Sequence, residues 1–295
     1  MQLAPLFLLP ILLAADPTLP TGPAEKQVDP PGVHNLFQVT PRVWSGSQPH
    51  GAEGFESLEK LGVKVIVSVD GAKPDVAEAK KHGLKYVHIP FGYDGVPANA
   101  QAQLAEVMKQ YPDQIYFHCH HGKHRGPAGV AIACLAEGSL TTAQAEAFMH
   151  QAGTSGDYAG LWKNVHEFQL PPAGTPRPML VETAQVESLA AAMAGIDRVY
   201  DNLVLLSKAN WKPPADHPDL SPVEEALLMR EGLYETGRLL PADKYDLKFR
   251  KLLKESEDIA TGIETKLKAG QTAGLNADLA KLKQACTACH VDYRN

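Results

Sequence analysis

Two clusters in this chain set reactive residue types at spacings that can do chemistry. The first lies at its carboxy terminus, where Cys286-Thr287-Ala288-Cys289-His290 places two thiols three positions apart and an imidazole directly after the second. Such sulfurs can add across the two vinyl groups of a haem while the histidine takes an axial position under the iron. A thioredoxin-type Cys-x-x-Cys would follow a strand early in a fold, and a zinc site would need two more ligands nearby. A terminal dithiol or metal clip is the residual alternative.

The second cluster is His118-Cys119-His120-His121-Gly122-Lys123-His124-Arg125-Gly126-Pro127. A strand-like run, Ile115-Tyr116-Phe117, precedes it, and a helical stretch begins near Pro127. Strand, tight loop and helix amino terminus aim the backbone N–H groups of residues 120–125 at an oxyanion, and Gly122 lets the backbone approach closely. Arg125 adds a guanidinium fork suited to two phosphate oxygens. The same positive field favours the thiolate form of Cys119, the nucleophilic form. His120, His121, Gly122, Lys123, His124 and Arg125 are therefore the candidate phosphate-binding residues. His118 is expected to support the loop through its ring, whereas His120, His121 and His124 stay open between substrate contact, solvated loop residue and metal ligand.

Two kinds of element must position these groups. Before residue 170 the pattern alternates. The run 63–69 is β-branched and apolar almost throughout, as a strand buried on both faces should be. Helical stretches fall at 76–81, 101–109, 127–137 and 142–151, the last opened by Thr141 with Gln144 three residues on, a capping box. This predicts an α/β unit with a parallel-core sheet over 34–169. A proline-rich connector, 170–178, ends it.

Beyond the connector, over 179–295, only helical periodicity remains. Val186, Leu189, Met193, Ile196, Tyr200 and Leu203 share one face, and Ser221, Pro222 and Glu224 announce a second helix start. A third helix runs over 246–269, with Gly270 closing it. In the fourth, Leu275, Leu279, Leu282, Cys286 and Cys289 step by alternating fours and threes, so both sulfurs face the core of a four-helix bundle.

A chain of 295 residues is long enough for two such units. Its net charge of −6 argues against a general nucleic-acid binder. Residues 3–15 are apolar but too short and proline-broken to span a bilayer, so 1–15 reads as a secretory signal with cleavage expected after Ala15. Residues 16–33 hold five prolines and few large apolar side chains, which predicts an extended leader. Four cysteines in an exported chain raise the question of disulfides. None is expected, because two serve the terminal motif, Cys119 is reactive, and Cys134 sits in an apolar helix as a small core residue.

The loop resembles the H-C-x-x-G-x-x-R signature of the cysteine-dependent protein tyrosine and dual-specificity phosphatases, over residues 34–168. Residues 37–49 look like the opening segment of the small dual-specificity-like members. The resemblance implies that Cys119 attacks phosphorus, that Arg125 and the loop amides hold the equatorial oxygens, and that an aspartate ahead of the loop protonates the leaving oxygen. Asp94, in Phe91-Gly92-Tyr93-Asp94-Gly95-Val96-Pro97, is the best match, although Asp-Gly is also ordinary turn chemistry. Asp70 is the reserve, and Asp113 belongs to the turn feeding the loop's strand. One departure stands out: the family usually has Ser or Thr after the arginine, and here that position is Gly126. Phosphate binding should survive this change, with slower turnover.

The carboxy-terminal part resembles class II cytochromes c, the cytochrome c prime group, in helix number, terminal motif position and C-x-x-C-H-x-x-Y-R. That resemblance implies one covalent haem c, thioethers at Cys286 and Cys289, His290 as proximal iron ligand, and Arg294 near the haem edge. It also implies a distal residue on the first helix, for which Met193 is the candidate, either as iron ligand or as a core methionine. Met179 lies too near the connector to compete. Haem attachment of this type takes place outside the bacterial cytoplasm, which implies a periplasmic location, and the group is familiar with homodimers. Together the resemblances imply an exported bifunctional protein: a phosphatase acting on a phosphorylated protein or small phosphomonoester, joined to a cytochrome serving a redox partner or small gas. Two alternatives remain, an electron-carrier or sensor cytochrome whose first unit binds anions without turnover, and redox chemistry at Cys119.

Overall fold

The computed structural model describes residues 24–172, 174–185, 188–240 and 244–293. The expected signal segment 1–15, Val186 and Arg294 lie outside the described residues.

The first unit is a mixed α/β sheet with a parallel core. Its strands are β1 (Glu25–Lys26), β2 (Phe37–Thr40), β3 (Val43–Ser47), β4 (Val65–Ser68), β5 (Lys85–His88) and β6 (Ile115–Cys119), in the order β1-β2-β3-β6-β4-β5. β3, β6, β4 and β5 are mutually parallel, and β1 and β2 add an antiparallel edge. The helices are α1 (Gly51–Lys60), α2 (Val76–Lys81), α3 (Ala98–Gln110), α4 (Arg125–Glu137), α5 (Thr142–Ala152) and α6 (Ala159–His166). Strand alternation divides the core. Ile66, Tyr86 and Tyr116 face Phe55 and Leu58 of α1 and Ala79 of α2, while Val65, Val67, Ile115 and Phe117 face Leu104, Ile132, Phe148 and Leu161 of α3 to α6. With helices on both faces, β4 and β6 are buried along their whole length. The Thr141–Gln144 capping box opens α5 as its sequence predicts.

Two boundaries differ from the sequence reading. Residues 24–33 are folded onto the sheet instead of forming an extended leader. β1 pairs with β2, the Asp29 carboxylate accepts from the N–H groups of Asn35 and Leu36, and Val33 is fully buried. The proline count hid a single well-placed valine and a capping aspartate. The second difference lies after the connector, where residues 179–184 belong physically to the first unit. His88 N–H donates to the Val181 carbonyl at 2.9 Å, Ala184 N–H donates to His88 Nδ1, and Lys80 pairs with Glu182. The chain thereby covers the exposed edge of β5 before the second unit begins.

The second unit consists of four long helices, α7 (Leu189–Lys208), α8 (Pro222–Leu239), α9 (Leu247–Lys268) and α10 (Leu275–Tyr293). Ser188, Ser221 and Asp246 cap the first three. Ile196, Leu203, Met229, Leu233, Phe249, Ile263, Leu275, Leu279 and Leu282 form its core. Each helix packs on the next in sequence, and α10 also touches α7. No helix among the described residues is long and apolar enough to cross a membrane.

A stiff connector would allow the units to stand apart, but they are docked. Leu227 of α8 is 1% exposed and belongs to the core of the α/β unit, with Leu228 packed beside it.

Candidate functional site

The loop of the first unit is built between two parallel strands and a helix. β6 ends at Cys119, which is in register with Ser47 of β3, while His118 pairs with Ser68 of β4. Gly122 has φ +70°, and a Cβ there would overlap the backbone of Gly46 and Ser47. Only glycine lets the loop pass this close under β3. Beyond it, α4 starts at Arg125, two residues earlier than its sequence suggested, so the arginine stands in the first turn.

Side chains from outside the motif hold the loop in place. The Asn35 side-chain amide donates to the carbonyls of Gly122 (3.0 Å) and Ala152 (2.9 Å), and Thr154 donates to the Lys123 carbonyl at 2.7 Å. Sequence reasoning missed Asn35; its signal is an αL conformation, φ 54°, that asparagine tolerates better than most residues.

The histidines separate into distinct roles. His118 is buried, its Nδ1–H donates to the Cys119 carbonyl, and its Nε2 accepts from the Tyr86 hydroxyl at 3.1 Å. Burial holds its pKa down to about 4, so it is a neutral support of the loop. His124 is likewise pushed down to about 4, first by burial and then by Lys123 and Arg125; its ring lies 4.4 Å from Tyr158. The rings of His120 and His121 lie 4.2 Å apart at a tilt of 57° and, with exposed Lys123, line an open groove shared with Lys26, His34 and His50. Burial lowers the His120 pKa, and its Nδ1 is buried without a hydrogen-bond partner. Among the described residues no three His, Cys, Asp or Glu side chains converge as a metal-ligand set.

Arg125 is the centre of the site's charge. It is 2% exposed, and its Nη2 donates to Asp70 (2.8 Å), the Tyr93 hydroxyl (3.0 Å) and Glu235 of α8 (3.2 Å). The Tyr93 ring lies 4.2 Å from the guanidinium carbon. Arg238, also on α8, donates to Asp70 at 2.8 Å and to Glu235 at 2.6 Å. Burial alone would push the Asp70 carboxyl up, but Arg125 and Arg238 outweigh it and hold it at about 2. Asp70 is thus a fixed anion at neutral pH and has no proton to donate, which corrects its place as reserve acid. The Nε of Arg125 is buried without a hydrogen-bond partner. Tyr93, Glu235 and Arg238 were also missed by sequence reasoning, since nothing local in α8 marks two of its residues as neighbours of a loop more than a hundred positions earlier.

Asp94 is exposed on the segment between β5 and α3. Its neighbours are Gly92, the Gly160 backbone and the Glu224 carboxylate of α8. Asp113 is exposed in the turn before β6, as its sequence position suggested. At Gly126 a Cβ would stand 3.4 Å from Cys119 Sγ. Cys134 is fully buried in α4, and burial pushes its thiol up to about 12, as expected of a core residue.

In the helical unit α10 carries the second cluster. Cys289 is 9% exposed, while Cys286 and Tyr293 are partly buried against the same core. Cys286 lies near Ser256 of α9 and near Asp197 and Tyr200 of α7; burial raises its pKa, and that of Cys289. His290 is half-buried. Tyr293 donates to Asp246 at 2.7 Å, tying the end of α10 to the cap of α9. Met193 is partly buried on α7 and packs against this core. Two inward thiols, an adjacent imidazole and an apolar lining are a donor set that fits a covalently held haem. Met179 is exposed, and its carbonyl holds Gln103 of α3, so it stands with the first unit.

No family model matches the chain, and no curated protein matches it. Solved structures that resemble it, over about half its length, are phosphatase domains. TpbA of P. aeruginosa is 22% identical, with a TM-score of 0.41, covering 50% of this chain and 90% of that one. A putative phosphatase (DUF442) from Shewanella putrefaciens CN-32 is 19% identical, with a TM-score of 0.37 over 45% and 90%. The core catalytic domain of the PP-IP phosphatase SIW14 from S. cerevisiae, in complex with citrate, is 18% identical, with a TM-score of 0.40 over 48% and 88%.

Proposed function

We propose that the chain is an exported, periplasmic two-part protein: a cysteine-dependent phosphomonoesterase joined to a helical unit that carries one covalent haem c. The arrangement of Cys119, Gly122 and Arg125 between β6 and α4 carries the first half of this reading. Cys119 Sγ attacks phosphorus, Arg125 and the loop N–H groups hold the equatorial oxygens, and the ester oxygen leaves with a proton from Asp94. Water then cleaves the phosphorus–sulfur bond and releases phosphate. The substrate is a phosphorylated protein or small phosphomonoester.

In the helical unit, Cys286 and Cys289 would form the thioethers and His290 would hold the iron from one side, with Met193 the candidate for the other and Arg294 for the haem edge. The group would supply one-electron exchange with a redox partner or binding of a small gas. By the same resemblance the protein would pair as a homodimer.

The test is an assay of the purified holoprotein with an aryl phosphate, beside Cys119→Ser and Asp94→Asn. Activity should vanish in the first variant and fall in the second; activity that survives Cys119→Ser overturns the mechanism. The absorption spectrum of the same samples reads the haem, and a low-spin spectrum unchanged in Met193→Ala removes that residue as ligand.

One observation favours a second reading, an anion-binding unit without turnover that serves an electron-carrier or sensor cytochrome. Gly126 leaves Cys119 without the neighbouring hydroxyl that would help sulfur leave. Phosphate bound by a chain that never releases product from an aryl ester would select this reading.

A further inference from the structure

Helix α8 has two working faces. One contributes Ala226, Met229 and Leu233 to the helical core. The other sets Glu224, Glu231, Glu235 and Arg238 on one face toward the α/β unit. Glu224 accepts from the Gly160 N–H (3.1 Å), Glu231 from the Tyr158 hydroxyl (2.9 Å) and Glu235 from Arg125 (3.2 Å), while Arg238 donates to Asp70 (2.8 Å). This stripe runs from the start of α6 past the loop's arginine and ends on Asp70.

Glu235 is the decisive member. A carboxylate and a phosphate monoester offer a guanidinium the same kind of oxygen pair. Of the three acceptors on Arg125 Nη2, Asp70 and Tyr93 come from the α/β unit itself, and only Glu235 comes from outside it. The second arm of the fork, Nε, is buried with no hydrogen-bond partner. Arg125 thus has donor capacity for one more oxygen than its present partners supply. With α8 in place Arg125 is 2% exposed and Cys119 4%.

We infer that Glu235 stands in for the substrate phosphate, making α8 an intramolecular latch that occupies the loop when docked and frees it when lifted. Phosphate and Glu235 then compete for one guanidinium. Because α8 shares its core with α9 and α10, a shift of the helical unit biases the latch, and by linkage an anion on Arg125 loosens α8. The inference takes the identity of the ligand from the proposed phosphatase reading, but the competition does not require turnover.

The experiment uses full-length holoprotein and inorganic phosphate, titrated by calorimetry into wild type, Glu235→Gln, Glu235→Ala and, as control, Glu255→Gln on the exposed side of α9. Both Glu235 variants should bind phosphate about tenfold more tightly or better, as expected when a charged competitor is removed, and the control should match wild type. In wild type, saturating phosphate should speed amide hydrogen exchange over 222–239. Affinity unchanged or weakened in a folded Glu235→Gln overturns the latch. Should both variants fail to fold, exchange over 222–239 in wild type that ignores phosphate overturns it equally. Aryl phosphate turnover by the same samples reads the enzyme separately. Tighter phosphate binding without turnover retires the enzyme and keeps the latch, whereas turnover with affinity indifferent to Glu235→Gln does the reverse.

Discussion

Arg238 Nη2 lies 2.8 Å from Asp70 Oδ1, joining the last turn of α8 to the residue two positions beyond the end of strand β4. Asp70 is 1% exposed, so this is a buried charge pair in which each partner depends on the other. Arg238→Met keeps the side chain's apolar stem and removes its charge. It leaves Asp70 with Arg125 and the Ala72 N–H alone. The expected cost is about 1–3 kcal/mol, the range for one charged hydrogen bond to a buried group. Calorimetric unfolding should show a lower melting temperature than wild type.

Acid should weaken the same junction. The Asp70 pKa is about 2 in the folded chain against 3.8 for an ordinary aspartate, so the folded state binds its proton less readily than the unfolded one. Its contribution is fully present above about pH 4 and is lost as pH falls through the folded value, and a shift of this size corresponds to about 2 kcal/mol. Melting temperature measured from pH 5 to pH 2 should fall steeply in wild type. In Asp70→Asn the curve should start lower and run flatter over that window.

Glu224 carries the opposite sign. Burial raises its pKa above 4.5, the nearby Asp94 carboxylate raises it further, and the Gly160 N–H offsets only part of this. The favourable, protonated form is fully present below pH 4.5 and its contribution is lost as pH rises through the folded value. Glu224→Gln keeps an acceptor for the Gly160 N–H and removes the charge facing Asp94. It should raise the melting temperature at pH 7, and the gain should disappear near pH 4.

Local chemistry made part of this molecule readable in advance. The β-branched run that became β4, the capping box at Thr141 and Gln144, the capping Ser221, and the inward stepping of Leu275 to Cys289 are all set within a few residues of one another. So was the loop, because strand, glycine, arginine and helix start are consecutive. What escaped was set by contacts across the chain. Proline content in 24–33 concealed a strand fixed by pairing to β2, and nothing local in α8 marks Glu224, Glu231 and Glu235 as partners of Gly160, Tyr158 and Arg125. Asp94 illustrates the same limit from the other side. Its spacing from Cys119 made it the expected acid, but its neighbours are decided by where α6 and α8 pack.

Gly122 gives a direct test of loop geometry. Its φ of +70° is strained for any side chain, and a Cβ would overlap the β3 backbone at Gly46, which cannot move aside as a flexible side chain would. Gly122→Ala should abolish phosphate binding and lower stability by about 1–3 kcal/mol. Retention of wild-type phosphate affinity in this variant would show that the loop does not close around the anion.

Gly126 decides whether the loop turns over. A Cβ there would stand 3.4 Å from Cys119 Sγ and 3.2 Å from Cys119 N, so a serine hydroxyl would sit beside the sulfur for a small adjustment of its neighbours. As the phosphorus–sulfur bond breaks, negative charge returns to sulfur, and a donor aimed at that charge stabilises the departing thiolate more than the bound phosphocysteine. The native loop lacks this donor, so breakdown of the intermediate should limit its rate, and an aryl phosphate should give a burst of one phenol per chain before a slow steady state. Gly126→Ser should raise the steady-state rate about tenfold or more while the burst shrinks. Gly126→Ala separates the hydroxyl from the added carbon: it carries the same close contact without a donor and should leave the steady state slow. A serine variant no faster than the alanine variant would show that sulfur leaves unaided in this loop, and that attack on phosphorus or opening of α8 sets the rate instead.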